Sequence, residues 1–247
     1  MKQGIYTILS QRNIAKNTYE MILSGDTSAF TRPGQFLNIQ LDGFFLRRPI
    51  SVCDYTDQTI TILYKTVGHG TEAMSKLAKG AKLDILTGLG NGFDVSKCKG
   101  TPLLIGGGAG VPPMFLLAKR FLETGVKPIV ILGFNTADEV FYEDEFRASG
   151  AQVHIATADG SYGEKGFVTD VMKHVSYDYF YTCGTMPMFR AIEKIALTDG
   201  EYSFEERMGC GFGACMGCSC KVLTGGYKRI CKDGPVLERK EILWTQA

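Results

Sequence analysis

The chain has 247 residues, 45% of them apolar and 21% charged, with a formal net charge of +1. That composition excludes a disordered chain, and the even scatter of Lys and Arg offers no basic face to nucleic acid or to an anionic membrane. The length suits two domains, or two with a small appendage, and leaves small ligands and other proteins as the partners to look for.

The opening "MKQGIYTILSQRNI" has neither the apolar core nor the small-residue cleavage site of a secretory signal, and no later run reaches a membrane-spanning length. A cytoplasmic location is the expectation. In that reducing compartment the eight Cys read as metal ligands or buried thiols, not as a disulfide framework.

From Gly4 to about Thr87 the pattern is one of short alternating strands, "GIYTILSQ", "TYEMILSG", "QFLNIQL", "TITILYKTV" and "AKLDILT", which predicts a small antiparallel barrel or sandwich. One helix interrupts it at "TEAMSKLAKG", with Ala73, Leu77 and Ala78 at helical spacing and Gly80 as its stop. "RRPISV" lies between two strands, and "VGHGT" stands just ahead of the helix. A fixed bidentate cation such as Arg48 suits phosphate oxygens, and Gly70 and Thr71 open a helix whose unpaired N–H groups favour an anion. Read alone, Arg-Pro-x-Ser is equally a solvated Arg beside a strand-end Pro.

After "GLGNGFDVSKCKG" the rhythm changes to apolar strands each followed by a helix. The pairs are "PLLIG" with "PPMFLLAKRFLETG", "PIVILGF" with "DEVFYEDEFRASG", "QVHIAT" with "GFVTDVMKHV", and "DYFYTCG" with "PMFRAIEKIALTDG"; "YSFEE" is a fifth strand. This predicts a Rossmann-like α/β domain with a mostly parallel sheet. The expected divisions are residues 1–97, 98–203 and 204–247.

In "PLLIGGGAGVPPM" the glycine-rich turn Gly107, Gly108, Ala109, Gly110 lets backbone approach a pyrophosphate, with Pro112 and Pro113 at tolerated first helical positions. Val111 breaks the strict Gly-x-Gly-x-x-Gly spacing, so a tight turn packed without ligand is the competing reading. Asp159 follows a strand where an adenosine ribose docks, and an acid there repels a 2′-phosphate, which favours NAD over NADP. Cys183 on its own reads as a buried strand thiol, as do Cys53 and Cys98. His69, His154 and His174 read as structural, so no acid–base mechanism rests on them.

The last forty or so residues read as a tight loop followed by a β-hairpin, "KVLTGGYKRIC". Cys210, Cys215 and Cys218 are separated by four and two residues, and Cys231 follows after twelve more, the plant-type two-iron, two-sulfur spacing. Gly211, Gly213, Ala214 and Gly217 remove side chains that would obstruct N–H groups pointing at a cluster. Cys220 could replace Cys218 or Cys231, and a structural zinc or plain buried thiols are the other readings. Glu205 and Arg207, just ahead of the loop, are candidates for a bridge between the cluster and a neighbouring cofactor site, with a surface ion pair as the alternative.

The strand "RRPISV", the turn "VGHGT", the Gly-Gly-Gly-x-Gly turn and "CGTMPM" together resemble the ferredoxin-reductase flavoprotein family. That resemblance implies an FAD-binding barrel in which Arg48 meets the pyrophosphate and Ser51 the isoalloxazine edge, with Pro49 and Ile50 between them and Leu63, Tyr64 and Lys65 lining the same site. It also implies that Cys183 and Gly184 shape the hydride-transfer site, with Cys183 the candidate catalytic residue. With "EERMGCGFGACMGCSCKV" added, the whole chain is similar to the family of electron-transfer subunits of type 1B dihydroorotate dehydrogenases. The resemblance then implies FAD, a [2Fe-2S] cluster and NAD as cofactors. It further implies a catalytic partner subunit carrying FMN, joined in a heterotetramer of two plus two, that oxidises dihydroorotate to orotate in pyrimidine biosynthesis. Two alternatives stand beside it: an NAD(P)H:ferredoxin-type oxidoreductase subunit of another redox complex, and a non-catalytic zinc-stapled binding module. Trp244 has no role derivable from sequence, covering the cluster or meeting a partner being the two options.

Overall fold

The computed structural model describes residues 1–244. Six strands close into an antiparallel barrel: β1 (Lys2–Ala15), β2 (Thr18–Ser24), β3 (Phe36–Ile39), β4 (Arg48–Tyr55), β5 (Thr59–Lys65) and β6 (Lys82–Leu89), in the order β1-β2-β5-β4-β3-β6. Alternation puts Tyr6, Ile8, Met21, Leu23, Leu37 and Ile39 inside. Sequence rhythm gave five of these strands. The sixth, β4, carries Arg48 and Pro49 at its start and alternates poorly.

The embedded helix α1 (His69–Ser75) starts and stops earlier than its apolar spacing predicts. Thr71 sets the start, since its hydroxyl accepts from Val67 N and donates to the Gly68 carbonyl. Gln11 sets the end, because its side-chain amide donates to the carbonyls of Met74 and Leu77, both at 3.1 Å, and takes the acceptors a further turn would need.

The second region alternates β7 (Pro102–Gly107), α2 (Val111–Glu123), β8 (Ile129–Phe134), α3 (Glu143–Ser149), β9 (Gln152–Thr157), the short β10 (Glu164–Lys165), α4 (Val168–Met172), β11 (Tyr179–Cys183), α5 (Met186–Ile195) and β12 (Gly200–Ser203). Helix α3 is shorter than "DEVFYEDEFRASG" predicts. Tyr142 takes a left-handed φ of 65°, which no helix can run through, and its ring is buried with its hydroxyl donating to Glu20 of the barrel at 2.8 Å.

The C-terminal region supplies the hairpin β13 (Ser219–Lys221) and β14 (Tyr227–Arg229), then β15 (Val236–Glu238). β15 pairs antiparallel with β12 and completes a sheet of order β10-β9-β8-β7-β11-β12-β15. The nearly buried Glu201 on β12 meets Lys97 at 2.5 Å, and Lys97 reaches Glu238 on β15 at 3.0 Å, tying linker, sheet and tail together. The core beneath α4 and α5 holds side chains from all three regions, among them Phe36 and Leu86, Phe180 and Phe189, and Cys218 and Ile230. Trp244 belongs to it, edge-on to Tyr202 at 4.9 Å.

Candidate functional site

Strand β4 is anchored at its far end and free to present its near one. Asp54 accepts from Lys119 of α2 at 2.7 Å, and the Tyr55 hydroxyl from Arg120 at 2.9 Å, so the strand is bolted to the helix that follows the glycine turn. At the near end the Arg48 guanidinium stacks over Phe44 at 4.8 Å and lies against Gly70, where an added Cβ would stand 2.0 Å from Nε. The two motifs quoted for the flavin therefore touch, and only a residue without a side chain lets them. Thr71 spends its hydroxyl on capping α1. Register places Pro49 opposite Asn38 and Ser51 opposite Phe36, on the outer face of the barrel. The side chains of Leu63 and Tyr64 are buried; the Tyr64 hydroxyl donates to Gln11 at 2.9 Å, and its ring stacks on Tyr19. Of that trio only Lys65 reaches the cleft, 3.2 Å from Glu139.

The cleft, of about 520 Å³, opens where β7 and β11 lead their helices to opposite faces of the sheet, the place where open α/β sheets bind ligands. The strand ends Gly107, Gly133 and Gly184 form its floor, with Gly108 and Ala109 beside them. A Cβ at Gly107 or Gly184 would strike Met188 at 2.6 or 2.4 Å, and one at Gly110 would stand 2.1 Å from the Cys183 carbonyl oxygen. Cys183 itself is 2% exposed, and burial pushes its thiol well up. Cys183 does not line the cleft; its main-chain carbonyl packs against Gly110, and Gly184 is the neighbour that reaches the lining. Asp159 is also outside the cleft, its carboxylate turned back onto the N–H and hydroxyl of Ser161.

Glu205, just beyond β12, does line the cleft. Its side chain is exposed in the open cleft, yet the protein around that opening desolvates the carboxyl and holds it above the ordinary carboxylate range, with no cation contributing. It makes no ion pair with Arg207 among the described residues. Glu139 and Met188 were not singled out from sequence. Met188 lies in the "CGTMPM" stretch that could have flagged it, whereas Glu139 belongs to no motif.

The thiol loop gathers N–H groups onto sulfur. Cys210 Sγ accepts from Ala214 N at 3.2 Å and Cys215 N at 3.4 Å, Cys215 Sγ from Gly217 N at 3.5 Å, and Cys218 Sγ from Cys231 N at 3.4 Å. Burial pushes the Cys210 thiol up, but the N–H groups of Cys215, Phe212 and Ala214 overcome it and bring it to about 6. The neighbour of Cys210 is Cys215, and that of Cys231 is Cys218; Cys231 is pushed up to about 12 by burial first and then by Cys218. Among the described residues no three acidic, His or Cys side chains converge as a ready single-ion site. Two thiol pairs with inward N–H groups are the donor set that two bridged irons require, two ligands to each. Cys220 sits on β13 opposite Lys228, outside both pairs.

Comparison with known proteins bears on the same regions. Residues 205–243 match the family described as the iron-sulfur cluster binding domain of dihydroorotate dehydrogenase B, and residues 104–194 the oxidoreductase NAD-binding domain. The chain is 46% identical to the dihydroorotate dehydrogenase B (NAD(+)) electron transfer subunit of Fusobacterium nucleatum, with 96% of each chain covered. It is 43% identical to the subunit of the same name from a Geobacillus strain, over 98% of this chain and 99% of that one. Among solved structures, that of an NADH-dependent reduced ferredoxin-NADP oxidoreductase superposes with a TM-score of 0.88 at 28% identity, covering 98% of this chain and 91% of the other.

Proposed function

The chain belongs to the family of dihydroorotate dehydrogenase B (NAD(+)) electron transfer subunits, and from that premise we propose that it passes electrons between an FMN-containing catalytic subunit and NAD, through a [2Fe-2S] cluster and FAD, in the oxidation of dihydroorotate for pyrimidine biosynthesis. The 46% identity to the named subunit, against 28% to the ferredoxin-NADP oxidoreductase, favours this reading over another redox complex of the same build. A cytoplasmic heterotetramer of two subunits of each kind completes the proposal. Among the described residues no helix is long and apolar enough to cross a membrane.

When bound, a flavin exchanges electron pairs with nicotinamide and single electrons with an iron-sulfur cluster, and so joins two centres that cannot trade directly. The residues of this chain bind and orient. Arg48 is the cation for the FAD pyrophosphate, with Pro49, Ile50 and Ser51 following along the flavin's edge. Gly70 leaves the Arg48 guanidinium its place. Lys65 is the cation of the cleft, held by Glu139 until an anionic ligand competes for it. Gly107, Gly108, Ala109, Gly110 and Gly184 bring bare backbone to the dinucleotide, while Cys183 supports Gly110 from below. Cys210, Cys215, Cys218 and Cys231 hold the cluster, and their N–H partners stabilise the thiolates. Glu205 keeps a carboxyl facing the cleft.

One observation carries the reading: flavin strand, cleft and thiol loop meet at one corner of the fold. Asn38, opposite Pro49 of the flavin strand, bonds the Cys210 carbonyl, and Glu205, five residues ahead of Cys210, lines the cleft. The test is chemical analysis of anaerobically purified protein. Iron, acid-labile sulfide and FAD in a ratio of about 2:2:1 are expected; a colourless protein containing zinc contradicts the proposal.

A further inference from the structure

Asn38 belongs by position to both proposed redox sites. It lies on β3 directly opposite Pro49, which makes Ser51 its diagonal neighbour on the same outer face, about 7–8 Å away along the main chain and somewhat less between Cβ atoms. Leu37 and Ile39, its neighbours in sequence, point into the barrel core. On its other side Asn38 meets the thiol loop. Nδ2 donates to the Cys210 carbonyl at 3.3 Å, and a Cβ at Gly211 would come within 2.3 Å of the same nitrogen.

The carboxamide is only half used. Asn38 is 1% exposed, yet its Oδ1 has no hydrogen-bond partner among the described residues. The assignment of the two amide atoms is fixed by chemistry, since a flipped amide would set oxygen against the Cys210 carbonyl oxygen. A buried carboxamide oxygen without a donor is costly, so a group that fills this face should supply one. A cluster cannot: sulfides only accept, and the loop N–H groups of Ala214, Cys215 and Gly217 already point at sulfur. Arg47, which reaches the main-chain oxygen of Asn38, spends the same nitrogen on Asp84. A flavin has donors in its ring N–H and its ribityl hydroxyls.

We propose that Asn38 is a positioning residue that joins the two redox centres, with Nδ2 holding the carbonyl of the cluster ligand Cys210 and Oδ1 accepting a hydrogen bond from the bound flavin. One side chain then fixes the cluster loop and the isoalloxazine against the same strand, so that neither moves without the other. This rests on the flavin site proposed above.

The test uses full-length Asn38→Leu, which keeps the volume and removes both bonds, and Asn38→Ser, which is too short to make both and is the milder change if the Leu variant does not fold. FAD affinity is measured by titrating FAD into deflavinated protein, and the reduced cluster is read by EPR. Both variants should bind FAD about five- to tenfold more weakly, the effect of one lost hydrogen bond, and should show an altered EPR line shape at an unchanged iron content. FAD affinity within twofold of the parent in every variant that folds, with the parental line shape, overturns the inference. Arg48→Ala separates this from the reading beneath it. If that change releases FAD and the Asn38 variants do not, only the inference falls. If Arg48→Ala also keeps its flavin, the flavin site itself was misplaced.

Discussion

The glycine-rich turn at Gly106–Gly110 and the glycine-rich loop at Gly209–Gly217 look alike as strings and work differently. In the first, the demand at its helix end is for space: Gly110 has an ordinary negative φ of −82°, and what forbids a side chain there is the main-chain carbonyl of Cys183, although Gly108 before it takes a left-handed φ of +50°. In the second, the demand is for direction. Gly211 has a φ of +78°, and that left-handed conformation helps the following N–H groups turn toward Cys210 Sγ. The turn is thus a surface that a ligand lies on, assembled from strand ends far apart in sequence, whereas the loop is a cage that wraps its occupant with local chain. Damage to the cage should cost everything that passes through it; damage to the surface should cost geometry.

The strongest break of that contrast is Cys215→Ser. Electron passage to the catalytic partner should fall to background while NADH still reduces FAD, observed as flavin bleaching in stopped flow; coupled turnover that survives would remove the cage from the route. Gly110→Ala is the complementary change. Its Cβ pushes the turn off the Cys183 carbonyl, and displacement of that order slows a positioned reaction by about 100-fold. The rate of FAD reduction by NADH should drop accordingly, with the iron content and visible cluster spectrum unchanged. A variant that transfers hydride at the parental rate would show that the turn does not set the nicotinamide's position.

A smaller effect sharpens the boundary between the two regions. Glu205 belongs to the cleft by lining and to the loop by sequence, and desolvation raises its folded-state pKa above the ordinary 4.5 of a glutamate. A group that binds its proton more tightly when folded contributes stability that is present in full below the unfolded pKa and is lost as pH rises through the folded one. Urea unfolding midpoints of the parent should therefore fall relative to those of Glu205→Gln as pH is raised from about 4.5 through the shifted value. A constant difference across that window would mean that the carboxyl is solvated like any surface acid. The smallest expected effect is that of Cys220→Ser, which leaves the visible spectrum intact because position 220 lies outside both thiol pairs. Loss of colour would reassign a ligand.

The same contrast decides what could be read from the chain. The thiol loop was legible because its first three Cys lie within nine residues of one another, at the spacing a two-iron cluster calls for. The Gly107–Gly110 turn was legible for a similar local reason. Residues that depend on tertiary approach were not: Glu139 lines the cleft from the short turn Ala137–Glu139 and meets Lys65 of the barrel there, and Asn38 gains meaning only when the thiol loop folds back onto β3. Leu63 and Tyr64 show the limit from the other side, since family position implies a lining role while their side chains are buried. The fold shows the same division. Strand rhythm gave the barrel and the α/β order, while the closing of the barrel by β4 and the return of β15 to the central sheet are set by long-range pairing.

The account's central claim is that electrons entering from nicotinamide reach the thiol loop through the flavin within this one chain. An anaerobic titration of the flavin- and iron-loaded protein with NADH, followed by EPR, tests it without the partner. A paramagnetic iron signal that grows as the flavin is reduced is the predicted result; full reduction of the flavin with no iron signal at any point of the titration would contradict it.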